Sequence, residues 1–205
     1  MGLGDVTPFH RFARLYDLAM YRADPEPLQI GFDRAEGAVE TVLDVGGGTG
    51  RASRALSVSR PVVVDAARGM LREARGHGLE TVQGDAATLP VADGAADAVV
   101  IVDALHHMAD VDGVLAAARR ALRPGGVVVI REFDPTTLRG RGLVFGERLV
   151  GFDSAFYSPA DLRERVSRAG FDATVPDRGF GYTVVGRKAG AERAASASDE
   201  RGANQ

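Results

Sequence analysis

The chain has 205 residues, 45% of them hydrophobic and 26% charged, which suits one globular domain with a full core and excludes a disordered or fibrous chain. It contains no cysteine, so disulfide frameworks and thiolate chemistry are out, and its net charge of −3 offers no general attraction to a phosphate backbone, so nucleic acid is not an expected partner. No apolar run reaches the length of a membrane span, and the first ten residues, with Asp5, Thr7, Pro8 and His10, lack the apolar centre of a signal peptide; the expectation is a cytoplasmic protein without stable membrane insertion.

Residues 9–21 place Phe9, Phe12, Leu15, Tyr16 and Ala19 at spacings of three and four, the mark of an amphipathic helix. This helix is expected to form a cap over residues 1–40, covering either the edge of a core or a bound ligand, and the Asp24-Pro25-Glu26-Pro27 run ends it. An apolar strand follows at 42–45 and runs into Gly46-Gly47-Gly48-Thr49-Gly50-Arg51. Glycine lets the backbone take positive φ and lets another molecule approach without meeting a Cβ. A helix expected to begin near Thr49, over 51–57, would aim its free amides and dipole at the turn, making a nucleotide cradle. A dinucleotide fingerprint, G-x-G-x-x-G, fails here: counted from Gly46 the third glycine is Arg51, and counted from Gly48 it is Ser53.

What stands instead is Asp44 followed by alternate glycines at 46, 48 and 50, which resembles motif I of the class I S-adenosylmethionine (SAM) dependent methyltransferases. The N-terminal pattern of Phe9, Ala13, Tyr16 and Asp17 is similar to the segment that caps the cofactor in many small-molecule members of that family. A second apolar strand, 61–65, ends on Asp65, nineteen residues past Gly46; an acid at this distance can accept both ribose hydroxyls, and equally can cap a helix over 66–75. A third strand at 79–83 ends at Gly84-Asp85-Ala86, and a fourth at 97–102 leads to Asp103 and His106-His107. The passage 84–110 resembles the quinone and menaquinone methyltransferase group. That resemblance implies that Asp85 accepts from the adenine amine and that the Ala86 amide meets a ring nitrogen. Together with the glycine turn it assigns the cofactor to Tyr16, Asp44, Gly46, Gly47, Gly48, Gly50, Asp65, Ala66, Asp85, Ala86 and Asp103.

An amphipathic helix at 111–122 and a type II turn at 123–126 precede a fifth strand, 127–131, which releases Glu132, Phe133 and Asp134 beside the site. Arg131, Glu132 and Asp134 read equally as a solvated charge cluster or as substrate ligands. Residues 136–157 read as a looser segment for substrate contacts. Ser158-Pro159 opens a helix that Gly170 closes, and strands at 171–176 and 180–187 form a closing hairpin. Strand and helix alternate, so the expected fold is α/β, a doubly wound and mostly parallel sheet. The resemblance makes it seven-stranded, ordered 3-2-1-4-5-7-6 with the last strand antiparallel. Residues 41–188 are expected to form the SAM-binding core and 189–205 a disordered tail.

No Ser-His-Asp order and no H-E-x-x-H occurs, so neither an acyl-transfer triad nor a metal is expected. His106 or His107 is the candidate general base, with packing as the bland alternative; Asp103 is placed on the sulfonium side or as a loop cap, and Arg51 near the methionine carboxylate or in solvent. The expected function is a SAM-dependent methyltransferase acting on a small apolar acceptor such as a quinone precursor, which can bring the enzyme to a membrane surface. For a hydroxyquinol, Tyr16, His106, His107 and Tyr157 are the residues to test. The alternatives are a different metabolite or lipid acceptor, a SAM or nucleoside-binding module without turnover, and an NAD-dependent oxidoreductase, which the missing third glycine disfavours. Oligomeric state is not legible.

Overall fold

The structure, a computed structural model, describes residues 25–150 and 154–190, and for 146–150 the backbone alone. The expected helix at 9–21, Tyr16 with it, and the tail beyond 190 lie outside the described residues. The sheet comprises β1 (Thr41–Val45), β2 (Arg60–Asp65), β3 (Glu80–Gln83), β4 (Ala96–Val102), β5 (Leu122–Phe133), β6 (Asp172–Asp177) and β7 (Gly181–Arg187). Their order is β3-β2-β1-β4-β5-β7-β6, with β1 to β5 parallel and β7 antiparallel to both neighbours, as expected. The helices are α1 (Glu26–Phe32), α2 (Arg68–Gly76), α3 (Val111–Ala121), α4 (Leu138–Val150) and α5 (Pro159–Arg168).

The period-two geometry of a strand sends successive side chains to opposite faces. Leu43, Val99, Ile101, Val128 and Ile130 therefore share one core with Leu115 of α3 and Leu162 of α5, while Val42, Ala98, Val100, Val127 and Val129 share the other with Leu28 and Phe32 of α1. Both faces are covered, which is why these strands read as unbroken apolar runs. Each fully buried Val, Leu or Ile contributes about 1.5–3 kcal/mol relative to exposure. At the end of the sheet away from the carboxyl edge, Asp97 accepts from the amides of Glu40 (3.0 Å) and Thr41 (2.8 Å) and pairs with Arg123, which fastens the start of β1 to the turn before β5.

Three elements differ from the sequence reading. The helix expected at 51–57 is one 3-10 turn, Ser53–Ala55. The amide and hydroxyl of Ser53 both donate to Asp44 Oδ2 (3.1 and 2.7 Å) and Leu56 is already extended, so the chain turns back into β2 after a single turn, and this segment supplies no helix dipole to the glycines. The looser segment at 136–157 contains α4, whose start is tied by the Thr137 hydroxyl accepting from the Gly140 amide (3.0 Å); Gly140 and Gly142 hide it from a propensity reading. Finally, β5 runs through Phe133. Its register skips from Ala96↔Leu122 to Ala98↔Val127, so the expected turn at 123–126, with Gly125 at φ +77°, survives as a bulge, and Glu132 stays inside the sheet.

Candidate active site

The strand order reverses between β1 and β4, and a crevice opens at such a switch point outside the carboxyl ends of the strands. Here it is a cavity of about 630 Å3, within the range of small-molecule sites. Its wall is assembled from four consecutive strand ends: Gly46, Gly47 and Gly48 after β1, Asp65 and Ala66 after β2, Asp85 and Ala86 after β3, and Asp103 with His107 after β4. Of the glycines, Gly48 (φ +57°) faces the open cavity, since a Cβ there would find only Met70 Sδ at 3.8 Å. Gly46 (φ +70°) lets the turn approach the loop after β4, where a Cβ would lie 2.8 Å from Met108 Cε. Gly47 is required by Asp44, whose carboxyl carbon would lie 2.5 Å from an added Cβ. Gly50, also expected among the cofactor residues, is not on the cavity wall; a Cβ there would drive into Leu79 and press on Val63.

The carboxylates divide between building the turn and lining the cavity. Asp65 accepts from the Gly48 amide (2.9 Å) and the Ala67 amide (2.7 Å), so it ties the glycine turn to the start of α2, which begins at Arg68 and not at 66. Asp44 is 1% exposed; Ser53 occupies its Oδ2, and Oδ1 has no hydrogen-bond partner among the described residues. Burial pushes its carboxyl up to about 6, against the hydrogen bonds from Ser53. Asp85 is exposed and accepts from the Ala87 amide (2.8 Å), capping a short 3-10 turn. Asp103 holds a left-handed conformation (φ 51°), uncommon for a residue other than glycine, and pairs with Arg51 at 2.7 Å; burial raises its carboxyl above the usual range despite that partner. Arg51 is thus engaged across the cavity rather than in solvent.

The two histidines separate. His107 lines the cavity, and its Nδ1 lies 3.2 Å from Ser154 Oγ. His106 is 4% exposed, stacks on Phe156 (ring centroids 4.6 Å apart) and sets Nδ1 2.7 Å from Glu132 Oε2; it is not on the cavity wall. Glu132 is buried, which excludes its membership of a solvated cluster. Arg131 pairs with Asp177, and Asp134 accepts from the amide and hydroxyl of Thr136, so neither faces the cavity. Tyr157 carries Arg165 over its ring and accepts from the Tyr182 hydroxyl through its backbone oxygen (2.7 Å). The sequence reading missed Ser154, Met70 and the burial of Glu132. Among the described residues no group of three or more His, Asp or Glu is placed to hold a metal ion.

A sheet of this order, with a glycine turn and carboxylates in a row along its carboxyl edge, defines a Rossmann-like nucleoside-binding architecture. A methyltransferase domain model matches residues 43–130. The demethylmenaquinone methyltransferase of Thermus thermophilus is 30% identical over 213 residues, spanning 88% of this chain and 96% of that protein. The malonyl-[acyl-carrier protein] O-methyltransferase of Xylella fastidiosa is 42% identical over 147 residues, 67% of this chain; the chain spans 50% of that relative's length. In structure, a SAM-dependent methyltransferase of Thermotoga maritima superposes with a TM-score of 0.69 at 22% identity, over 88% of this chain and 91% of that one, which bears on fold alone. The chain belongs to the class I SAM-dependent methyltransferases. Within that class it resembles the quinone and menaquinone methyltransferase group, and its cofactor is SAM. The residues fit that cofactor: Gly48 leaves the space a Cβ would fill, and the carboxylates of Asp65 and Asp85 line the wall that a cationic sulfonium nucleoside would meet, beside the Asp103–Arg51 pair.

Proposed function

We propose that this methyltransferase acts on a small, flat, apolar acceptor of the hydroxyquinol type, with a demethylated menaquinone precursor as the model compound and carbon as the methylated atom. The observation that carries the reading is the acceptor end of the cavity. There His107 lines the wall, hydrogen-bonded to Ser154; behind it, off the wall, His106 stacks on Phe156 and lies 6.4 Å from Phe133, itself packed on Phe180 at 5.0 Å. One imidazole on a wall that Met70, Val102, Ala104 and Met108 make largely apolar suits a flat ring that must lose a hydroxyl proton.

On the cofactor side, we assign Asp65 to the ribose hydroxyls, Asp85 and the Ala86 amide to the adenine, Asp103 to the cationic end, and the glycine turn with Ala66 to backbone approach; Tyr16 is assigned to the cap. SAM, when bound, supplies an electrophilic methyl whose positive charge disperses as transfer proceeds. The protein's work is then alignment and exclusion of water rather than strong acid or base chemistry. His107 takes the hydroxyl proton so that electron density reaches the neighbouring carbon, and once that carbon is methylated its own hydrogen leaves as a proton to restore the aromatic ring. An acidic acceptor such as a malonyl thioester would need a cation to hold its carboxylate, and Arg51 on the cavity wall is already held by Asp103. That favours the quinol. Such an acceptor also draws the enzyme to a membrane surface from the cytoplasm; no helix among the described residues is long and apolar enough to cross a membrane.

The test is purified protein with SAM and a short-chain demethylmenaquinol, read by mass spectrometry. A product heavier by one methylene with equimolar S-adenosylhomocysteine is expected. Turnover with a malonyl thioester alone would move the acceptor, and SAM binding without turnover across acceptors would make the chain a binding module. Thermal stabilisation by NAD in place of SAM would remove the cofactor assignment.

A further inference from the structure

The buried carboxylate of Glu132 is used by neither the cofactor wall nor the acceptor end, yet it makes three contacts with the loop after β4. Its Oε1 accepts from the amide of Leu105 (2.8 Å) and, at 3.4 Å, from that of His106, and its Oε2 meets His106 Nδ1 at 2.7 Å. Glu132 is 3% exposed and His106 is 4% exposed. With Oε1 already receiving two amide protons, the carboxylate is an acceptor, and the proton between Oε2 and Nδ1 belongs to the imidazole. The turn so gripped is the 3-10 segment Leu105–His107, closed by the His107 amide donating to the Ala104 carbonyl (3.1 Å). The same turn is held from its other side, where the Ala155 amide donates to the His106 carbonyl (2.8 Å), which delivers Ser154 to His107. A single side chain on β5 therefore grips the loop that puts one histidine on the cavity wall and the other behind it.

We infer that Glu132 is a positioning residue: through His106 and the amides of the 105–107 turn it fixes the orientation and tautomer of His107 against Ser154, so that the two adjacent histidines hold separate offices, His106 in the frame and His107 at the acceptor. The alternative, a carboxylate that merely satisfies a buried loop, accounts for the two amide bonds but not for the third contact, spent on a ring stacked under Phe156 and 4.1 Å from the ring of His107. The inference rests on the acceptor reading above for what His107 does, but not for how it is held. The charged groups sharing its surroundings are Asp103 with its partner Arg51 and Asp110 on the cavity wall, Glu132 from β5 and His106 beside it.

The experiment is long-range proton–nitrogen correlation of the histidine rings in the full chain, with and without S-adenosylhomocysteine, in the wild type, Glu132→Gln and His106→Gln. Glutamine at 132 is isosteric but brings one acceptor where three donors converge; glutamine at 106 leaves the two amide bonds of Glu132 and removes the imidazole contact. The wild type is expected to show His107 in a single neutral tautomer with one titration. Glu132→Gln is expected to give a tautomer mixture and a displaced titration midpoint, with His106→Gln intermediate, and S-adenosylhomocysteine affinity by calorimetry is expected to stay at the wild-type value in both. Identical His107 signals and midpoints in the folded variants overturn the assignment, and His106→Gln decides alone if Glu132→Gln fails to fold. A wild type indifferent to S-adenosylhomocysteine would instead sink the methyltransferase reading, while the ligand-free spectra still judge Glu132.

Discussion

Gly48 and Gly50 stand two residues apart in one turn, both with positive φ, and their substitution should fail for opposite reasons. A side chain at Gly48 points into the cavity, so Gly48→Val is expected to abolish SAM binding by calorimetry while circular dichroism still shows a folded protein, weakened by about 1–2 kcal/mol of left-handed backbone strain. Undiminished affinity would mean that the turn does not meet the ligand. A side chain at Gly50 drives into Leu79, so Gly50→Ala is expected to lower the unfolding midpoint as well. Asp65 combines two jobs, anchoring the Gly48 and Ala67 amides and, as proposed, accepting from the ribose. Asp65→Ala should weaken SAM by roughly 1–3 kcal/mol, the scale for leaving polar groups without their charged acceptor. A dissociation constant equal to the wild type's would leave Asp65 with the turn alone.

At the scale of an element, α1 lies against the sheet through Gly31, where an added Cβ would sit 2.5 Å from Val129 Cγ2 and 2.8 Å from Cγ1. In a free helix glycine to alanine gains up to about 1 kcal/mol. Here Val129 is β-branched, fully buried and unable to yield, so overpacking wins and Gly31→Ala is expected to cost about 1–3 kcal/mol in denaturant unfolding. Neutral or raised stability would show that α1 is free to move off the sheet. This close approach illustrates what local pattern conceals. The buried strands, the glycine turn, the Ser158 cap with Pro159 behind it and the closing Gly170 were all legible, because each is written in neighbouring residues. Glu132 was misread because Arg131-Glu132-Phe133 looks like the polar end of a strand, and its partners at 105 and 106 lie 26 or 27 residues away along the chain. α4 was missed because its three glycines depress helix propensity, and the short turn at 53–55 was overread because nothing local announces that Ser53 is claimed by Asp44. Tyr16 lies outside the described residues, so the cap remains a proposal.

For the molecule as a whole, two carboxylates, Asp44 buried and Asp97 half-buried, pull the pH dependence of stability in opposite directions. Asp44 is raised by burial from an ordinary value near 3.8 to about 6, so its contribution is fully present below pH 4 and is lost as the pH rises to about 6. Across that window the loss is on the order of 3 kcal/mol. For Asp97 burial opposes the charged form, but the Thr41 amide, Arg123 and the Glu40 amide outweigh it and hold the carboxyl below the usual range; its contribution is present above about pH 4 and is lost on acidification. Asp44→Asn is therefore expected to flatten the decline in thermal midpoint between about pH 4 and 6, and Asp97→Asn the decline below it. A slope that persists in Asp44→Asn would show that another group titrates there.

The cavity wall draws on residues 44 to 114, while Glu132, Phe133, Phe156 and Phe180 come from the opposite half of the sheet and the segment before α5. On the acceptor reading proposed above, donor and recipient are served by different stretches of polypeptide, joined through the loop at 105–107. Exchanging 134–157 for the equivalent stretch of a relative should retarget the enzyme without re-engineering its supply of methyl groups, provided the graft presents a hydroxyl where Ser154 now stands.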